Sequence, residues 1–195
     1  MTEDNTMLEK LFTNARSQNG WSTDPVSDEE LKAAYEVAKW GPTSMNTQPM
    51  RVLFLRSDEA KERLKPALAP TNVDKVMTAP VVAIFAYDLE FPALLSKTFP
   101  HNPNAPAFFA GKDKLIESTA IRNSTLQAAY FMVALRAVGL DVGPMSGFDP
   151  AKVNAEFFAG TSQYVNFICG IGHGNPEKVF GRSPRLDFDE TAKLL

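Results

Sequence analysis

Residues 113–138 constrain this chain more than any other stretch. They carry helical spacing from end to end and stop at Gly139. The second half, Leu126-Gln127-Ala128-Ala129-Tyr130-Phe131-Met132-Val133-Ala134-Leu135, is apolar almost all the way round. A helix that is hydrophobic on every side has to be covered on every side. In a chain of 195 residues that leaves two places for it, a central scaffold or an interface between subunits. With 44% hydrophobic and 22% charged residues, the composition is ordinary for a globular protein and sufficient for a core without staples. The length fits a single domain spanning residues 1–195, and no repeat, low-complexity tract or Gly/Ser linker marks a second.

The remaining elements follow from local signals. Met7, Leu8, Leu11 and Phe12 predict a first helix over 6–14, broken by the polar run that leads to Gly20. Ser27 with Glu30 three residues later has the form of a capping box. Leu31, Ala34, Tyr35 and Ala38 then line one face as far as Gly41-Pro42. Residues 51–56 (RVLFLR) read as a strand and 58–68 as a charged helix. The run VVAIFAY over 81–87 has the character of a central strand covered on both faces. Residues 91–111 hold prolines at 92, 100, 103 and 106, which forbid a continuous helix or an interior strand. So long an excursion suggests a lid or binding loop. Asp149-Pro150 opens a short helix, and YVNFICGI over 164–171 is a further buried strand. The tail after Gly174 is read as extended, and basic around Arg182 and Arg185. Helices and strands mixed in this way give an α+β class.

Several chemistries drop out. The balance of 20 basic against 23 acidic residues, net −3, offers no basic field for nucleic acid or anionic lipid. Any anion must therefore be held by a local site. Cys169 stands alone, so no intramolecular disulfide forms. The opening MTEDNTMLEK is unlike a secretory or transit signal, and no apolar run approaches the roughly 20 residues that span a bilayer. Cytoplasm is the expected compartment. His101 and His173 have no metal-ligand spacing with each other or with Cys169. Ser146 comes one place too late for a nucleophile elbow, and Gly170-Ile171-Gly172-His173-Gly174 lacks the third glycine of a dinucleotide fingerprint. Neither triad hydrolysis nor metal catalysis is expected.

Three polar clusters remain, each at a break between apolar elements: Arg16-Ser17-Gln18-Asn19, the run from Gly41 through Pro42, Thr43, Ser44, Met45, Asn46, Thr47 and Gln48 to Pro49, and Arg182-Ser183-Pro184-Arg185. Taken singly they read as a solvated turn, a C-cap loop and a tail. Together they hold the forked cations, hydroxyls and amides that one phosphorylated, hydroxyl-rich, amide-bearing ligand would need.

On Ala15-Arg16-Ser17 with Asn19-Gly20-Trp21, and Gly41-Pro42-Thr43-Ser44 with Asn46 and Pro49, the chain resembles the nitroreductase family. Arg122-Asn123-Ser124 with Leu126-Gln127, Gly139-Leu140-Asp141 with Gly143 through Asp149, and Arg182-Ser183-Pro184-Arg185-Leu186 extend that resemblance over nearly the whole length. The last two stretches point to the branch of malonic semialdehyde reductases of pyrimidine degradation. The resemblance implies a central, mostly antiparallel sheet flanked by helices, an intertwined homodimer, and FMN at each subunit interface. It further implies that Arg16, Ser17, Asn19 and Arg182 hold the ribityl chain and phosphate, with Arg185 a further candidate. Pro42, Thr43, Ser44 and Asn46 would reach the flavin of the other subunit, and Met145, Ser146 and Gly147 would lie by the ring. Asn19 and Phe180 stand where many family members have Arg and Lys, which would weaken the phosphate grip or pass it to Arg185.

The chemistry so implied is ping-pong hydride transfer from NADPH or NADH through FMN, with no protein acid–base pair, to a small aldehyde such as malonic semialdehyde. Arg122 and Lys112 are the candidate cations for that substrate's carboxylate, although an ordinary helix salt bridge would also explain Arg122. A broad nitroaromatic or quinone reductase, a flavin-binding protein without turnover, and a structural chain without cofactor are the other readings.

Overall fold

The computed structural model describes residues 3–195. Strands β1 (Met50–Leu55), β2 (Val81–Asp88), β3 (Asp141–Met145) and β4 (Gln163–Gly172) form one antiparallel sheet in the order β1-β2-β4-β3. β2 and β4 lie inside, and the apolar run of β2 is buried along almost its whole length. Its alternation sorts the two layers of core, as a pleated strand requires. Val81, Ala83 and Phe85 face one cluster, and Val82, Ile84 and Ala86 face the other.

Helices α1 (Glu3–Leu8), α2 (Asp28–Ala38), α3 (Asp58–Leu64) and α4 (Val73–Met77) precede β2, with α3 on the connection from β1 to β2. After β2 come α5 (Leu95–Thr98), α6 (Ala105–Phe109), α7 (Asp113–Ala137), α8 (Pro150–Phe157) and α9 (Phe188–Thr191). Leu31 and Ala34 of α2 join Ala128, Phe131 and Leu135 of α7 over one face of the sheet. Leu64, Val76 and Val153 bring α3, α4 and α8 over the other. None of the described helices is long and apolar enough to cross a membrane. Among the described residues, no cluster of His, Cys, Asp and Glu could hold a metal.

The expected capping box is present: the Ser27 hydroxyl accepts from the Glu30 amide at 3.2 Å, and the Glu30 carboxylate accepts from the Ser27 amide at 2.8 Å. The long helix runs to Ala137 and closes on Gly139 at φ +100°, a left-handed turn that only glycine makes without strain. Other expectations need correction. The charged helix ends at Leu64 and tightens into a 3-10 turn over Lys65–Ala67 because Pro66 cannot continue the ladder. The first helix continues as a π-turn over Glu9–Thr13. The tail is not extended throughout, since Asp187 caps the short helix α9. β3 is a strand that hydrophobic patterning overlooked, being five residues of which two are Gly and Pro. The excursion over 91–111, expected as a lid or binding loop with no continuous helix, is built of short helical turns. Its proline-punctuated turns bury Phe91, Leu95, Ala105 and Phe109 in a third apolar cluster with Ala120 of α7.

The helix expected to be covered all round is not covered by its own chain. Phe131, Ala134 and Leu135 are buried, but Leu126 is 45% and Tyr130 47% exposed. They share the surface with Trp40, at 81% exposure, and with Val37.

Candidate active site

The incomplete glycine fingerprint turns out to be a platform. A Cβ on Gly170 would lie 2.5 Å from Cζ2 of Trp21, one on Gly172 2.9 Å from its Cε3, and one on Gly143 2.5 Å from the carbonyl oxygen of Gln18. Bare backbone on β3 and β4 therefore lets residues 17–21 lie flat against the sheet. Ser17 bridges in parallel to Val142, Gln18 N donates to Val142 O at 3.0 Å, and Trp21 bridges to Gly174. The indole Nε1 of Trp21 donates to the Lys75 carbonyl at 3.0 Å, tying α4 to the same platform.

The C-terminal tail crosses this segment and is clasped to it. Arg182 Nη2 donates to Thr13 O at 2.6 Å and to Ala15 O at 3.3 Å. Arg16 donates in the opposite sense to Phe180 O, and Asn19 Nδ2 to Lys178 O at 3.3 Å. Between the two strands of chain opens a cleft of about 660 Å³, lined by Arg16, Ser17, Asn19, Arg182, Ser183 and Arg185 among others. The structure thus brings the first and third polar clusters together. It adds two cations that no sequence pattern singled out, Lys75 of α4 and Arg136 near the end of α7.

This lining is a concentrated positive field. Five cations face the cleft, no carboxylate lines it, and none of the five forms an ion pair among the described residues. Arg136 Nη1 donates to Leu11 O at 3.0 Å, but its Nε is buried with no partner among the described residues. Burial pulls the Arg136 pKa below its ordinary value, against the opposing pull of Asp141. Each arginine carries five donors, so those spent on backbone carbonyls leave others free. A phosphate monoester, with acceptors on every side and two negative charges, fits this donor set.

The second cluster lies elsewhere in the same chain. Ser44 N donates to Asn123 Oδ1 at 2.8 Å and Met50 N to Gln127 Oε1 at 3.0 Å, so two polar side chains of α7 pin the ends of the loop. Between those pins Met45, Asn46 and Gln48 all take positive φ, at 51°, 50° and 42°. Non-glycine residues in this region carry strain, which persists where the surroundings over-determine it. Pro42, Ser44 and Asn46 are exposed, and Thr43 Oγ1 accepts from Gln48 N at 3.3 Å.

Met145 is buried at the end of β3, while Ser146 and Gly147 line a separate cleft with Ala67, Leu68 and Asp149. Gly147 O accepts from Ala69 N and from Asn72 Nδ2, both at 2.9 Å. Lys112 sits at the start of α7, with Nζ on Phe108 O at 2.7 Å and 4.4 Å from that ring's centroid. Arg122 is exposed on α7 and makes no ion pair among the described residues, so the helix salt bridge allowed for it is not seen. Neither residue lines any of these clefts.

Comparison with known proteins accounts for the pattern. The chain is 54% identical over 192 residues to a Cupriavidus pinatubonensis protein named for an NADH dehydrogenase/NAD(P)H nitroreductase, covering 97% of this chain and 98% of that one. It is 56% identical to the similarly named HadB of Ralstonia pickettii, with 96% of each covered. Among solved structures, YdfN of Bacillus subtilis superposes with a TM-score of 0.88 at 22% identity, covering 98% and 100% of the two chains. A protein of Exiguobacterium sibiricum, solved in complex with FMN, superposes with a TM-score of 0.85 at 21% identity, covering 100% and 98%. At such identities the structural likenesses speak for the fold. The nitroreductase family model matches residues 13–173, and with relatives above half identity along nearly its whole length, this chain belongs to the nitroreductase family.

Proposed function

We propose that the chain is an FMN-dependent, NAD(P)H-oxidising reductase of a small aldehyde, converting malonic semialdehyde to 3-hydroxypropanoate, and that it works as a homodimer in the cytoplasm. The observation that carries the cofactor reading is the cleft of five cations with no carboxylate among its described lining residues, next to hydroxyl and amide side chains. Arg16, Arg182 and Lys75 would hold the phosphate, with Arg136 and Arg185 adding to the field, and Ser17 and Asn19 would meet the ribityl hydroxyls. FMN held there would supply the hydride-transfer chemistry between nicotinamide and acceptor.

The remaining residues do what a flavin site asks of a protein. Met145, Ser146 and Gly147 would present backbone groups beside the ring. The strained loop, with exposed Pro42, Ser44 and Asn46 and with Thr43 beside them, would meet the flavin of the other subunit. The dimer rests on the uncovered apolar surface of Leu126, Tyr130, Val37 and Trp40, since patches of this kind mark interaction sites. The aldehyde rests on the resemblance of the 139–149 and 182–186 stretches to one branch of the family. The relatives' nitroreductase names favour a second reading, a nitroaromatic or quinone reductase.

The test is the visible spectrum of the purified protein, followed anaerobically through addition of NADH and then NADPH. A flavin band that bleaches, and returns faster with malonic semialdehyde than with a nitroaromatic at matched concentration, is the expected result. Faster return with the nitroaromatic selects the second reading. No band in the purified protein, and no flavin retained after FMN is added and the unbound excess removed, overturns both.

A further inference from the structure

The strained loop and the folded excursion enclose a second polar cleft, of about 380 Å³, lined by Tyr35, Asn46, Gln48, Met50, Arg51, Leu94, Lys97, Thr98 and Gln127. Three features set it apart from an ordinary surface groove. Two cations line it and no carboxylate does; Arg51 is neutralised by Asp88 at 2.7 Å, whereas Lys97 has no ion-pair or hydrogen-bond partner among the described residues. Its wall includes the left-handed residues Asn46 and Gln48, tied to the excursion and to each other: Asn46 Nδ2 donates to Thr98 O at 2.6 Å and Gln48 Nε2 to Asn46 Oδ1 at 3.0 Å. Met45 is packed into the third apolar cluster, so the excursion acts as the loop's buttress.

We infer that this cleft is the subsite for a carboxylate on the electron acceptor, with Lys97 as the residue that selects it. The inference rests on the proposed dimer, in which this loop meets the partner's flavin. Lys97 supplies the charge, and Gln48 and Gln127 supply amide N–H groups. Leu94 and Met50 supply the apolar floor on which a short carbon chain lies. A charge-assisted contact of this kind is strong at the edge of an apolar floor and falls with ionic strength. This assigns the substrate cation to Lys97 in place of Lys112, whose ammonium is already bound at Phe108, and of Arg122.

The test compares the holoenzyme with Lys97→Gln and Lys97→Arg, using acceptors matched in all but charge: malonic semialdehyde against propanal, and 4-nitrobenzoate against nitrobenzene. Lys97→Gln is expected to raise KM for each anionic acceptor about tenfold, the loss of one charge-assisted contact. The uncharged acceptors should change by less than about twofold, and Lys97→Arg should recover most of the loss. Malonate, titrated by NMR, should bind wild type more tightly than Lys97→Gln, with a salt dependence that the variant lacks. Equal effects on charged and uncharged acceptors, or malonate binding unchanged by the variant, would overturn the subsite. The nitro pair reads the cleft even if the aldehyde assignment fails, and the malonate titration reads it even without flavin turnover.

Discussion

At the scale of single residues, charge and burial make opposite kinds of site in this molecule. The cationic cleft is open, and its donors are only partly used by Thr13, Ala15, Leu11 and Phe180 carbonyls. Replacing Arg16, Lys75 or Arg182 by Ala is expected to weaken FMN about 10- to 100-fold, the cost of one hydrogen bond to a charged group. Quenching of flavin fluorescence on titration reads that change, and an unaltered affinity in all three variants would remove the phosphate from this cleft. Cys169 is the reverse case. Buried within β4, its thiol is pushed from an ordinary 9.0 up to about 12 by desolvation, opposed by Gly143 and Arg136. Between pH 9 and about 12 the folded thiol stays protonated, and so resists alkylation, while the thiol of unfolded chains ionises and reacts. Because the folded value is the higher one, stability that is complete below pH 9 declines as pH rises toward 12. Mass spectrometry after iodoacetamide at pH 8.5 should show no adduct without denaturant and a full adduct with it.

At the scale of elements, the glycines of β3 and β4 decide where the first cluster sits. Gly170→Ala places a methyl group inside the Trp21 indole, and the indole cannot leave without breaking its hydrogen bond to Lys75 O. Overpacking of this sort costs about 1–3 kcal/mol. The expected signature is a shift in tryptophan emission together with weaker FMN retention; a variant with native emission and affinity would show that the platform does not position the site. The capping box of α2 is a purely structural device by comparison. Hydrogen bonds from Ser27 hold the Glu30 carboxyl below its ordinary 4.5. Its contribution is therefore present above that value and fades as pH falls through the lowered one. Ser27→Ala should lower stability by about 1 kcal/mol in denaturant melts and leave the flavin spectrum unchanged. The β-bulge between Phe85 and Ala86 leaves Asn166 unpaired in the ladder, and its amide donates to Thr125 Oγ1 at 2.8 Å on α7. An irregularity in the sheet thus becomes a tie between layers.

At the scale of the whole molecule, the two halves of the proposed flavin site lie apart. The cationic cleft and the Thr43–Asn46 loop share no lining residue within one chain. Two copies resolve this if the apolar face of α7 is shared between them. Leu126→Asp, at a position 45% exposed in the single chain, is expected to convert dimer to monomer in sedimentation velocity and to strip the flavin with it. A stable dimer that keeps its flavin after this change would move the interface elsewhere.

The sequence by itself determined the local grammar of this protein. Ser27 with Glu30, Gly139 after the long helix, and the apolar run of β2 act through neighbours in the chain, so their consequences can be read without knowing the fold. It also carried the family resemblance and, through it, the expectation that Arg16 and Arg182 hold the cofactor. What it could not show is anything that depends on which surfaces meet. β3 is too short and too rich in Gly and Pro to declare itself, and it is a strand because β4 pairs with it. Lys75 and Arg136 stand on ordinary helices and become part of the cleft only when α4 and α7 pack beside the tail. Gly143 stands far from the Gly170–Gly174 run in sequence, and only the Gln18 carbonyl and Trp21 indole pressed against these glycines show what they are for. The excursion, legible as a lid or binding loop, folds as a unit because its aromatic side chains find one another and Ala120, a contact that no spacing along the chain encodes.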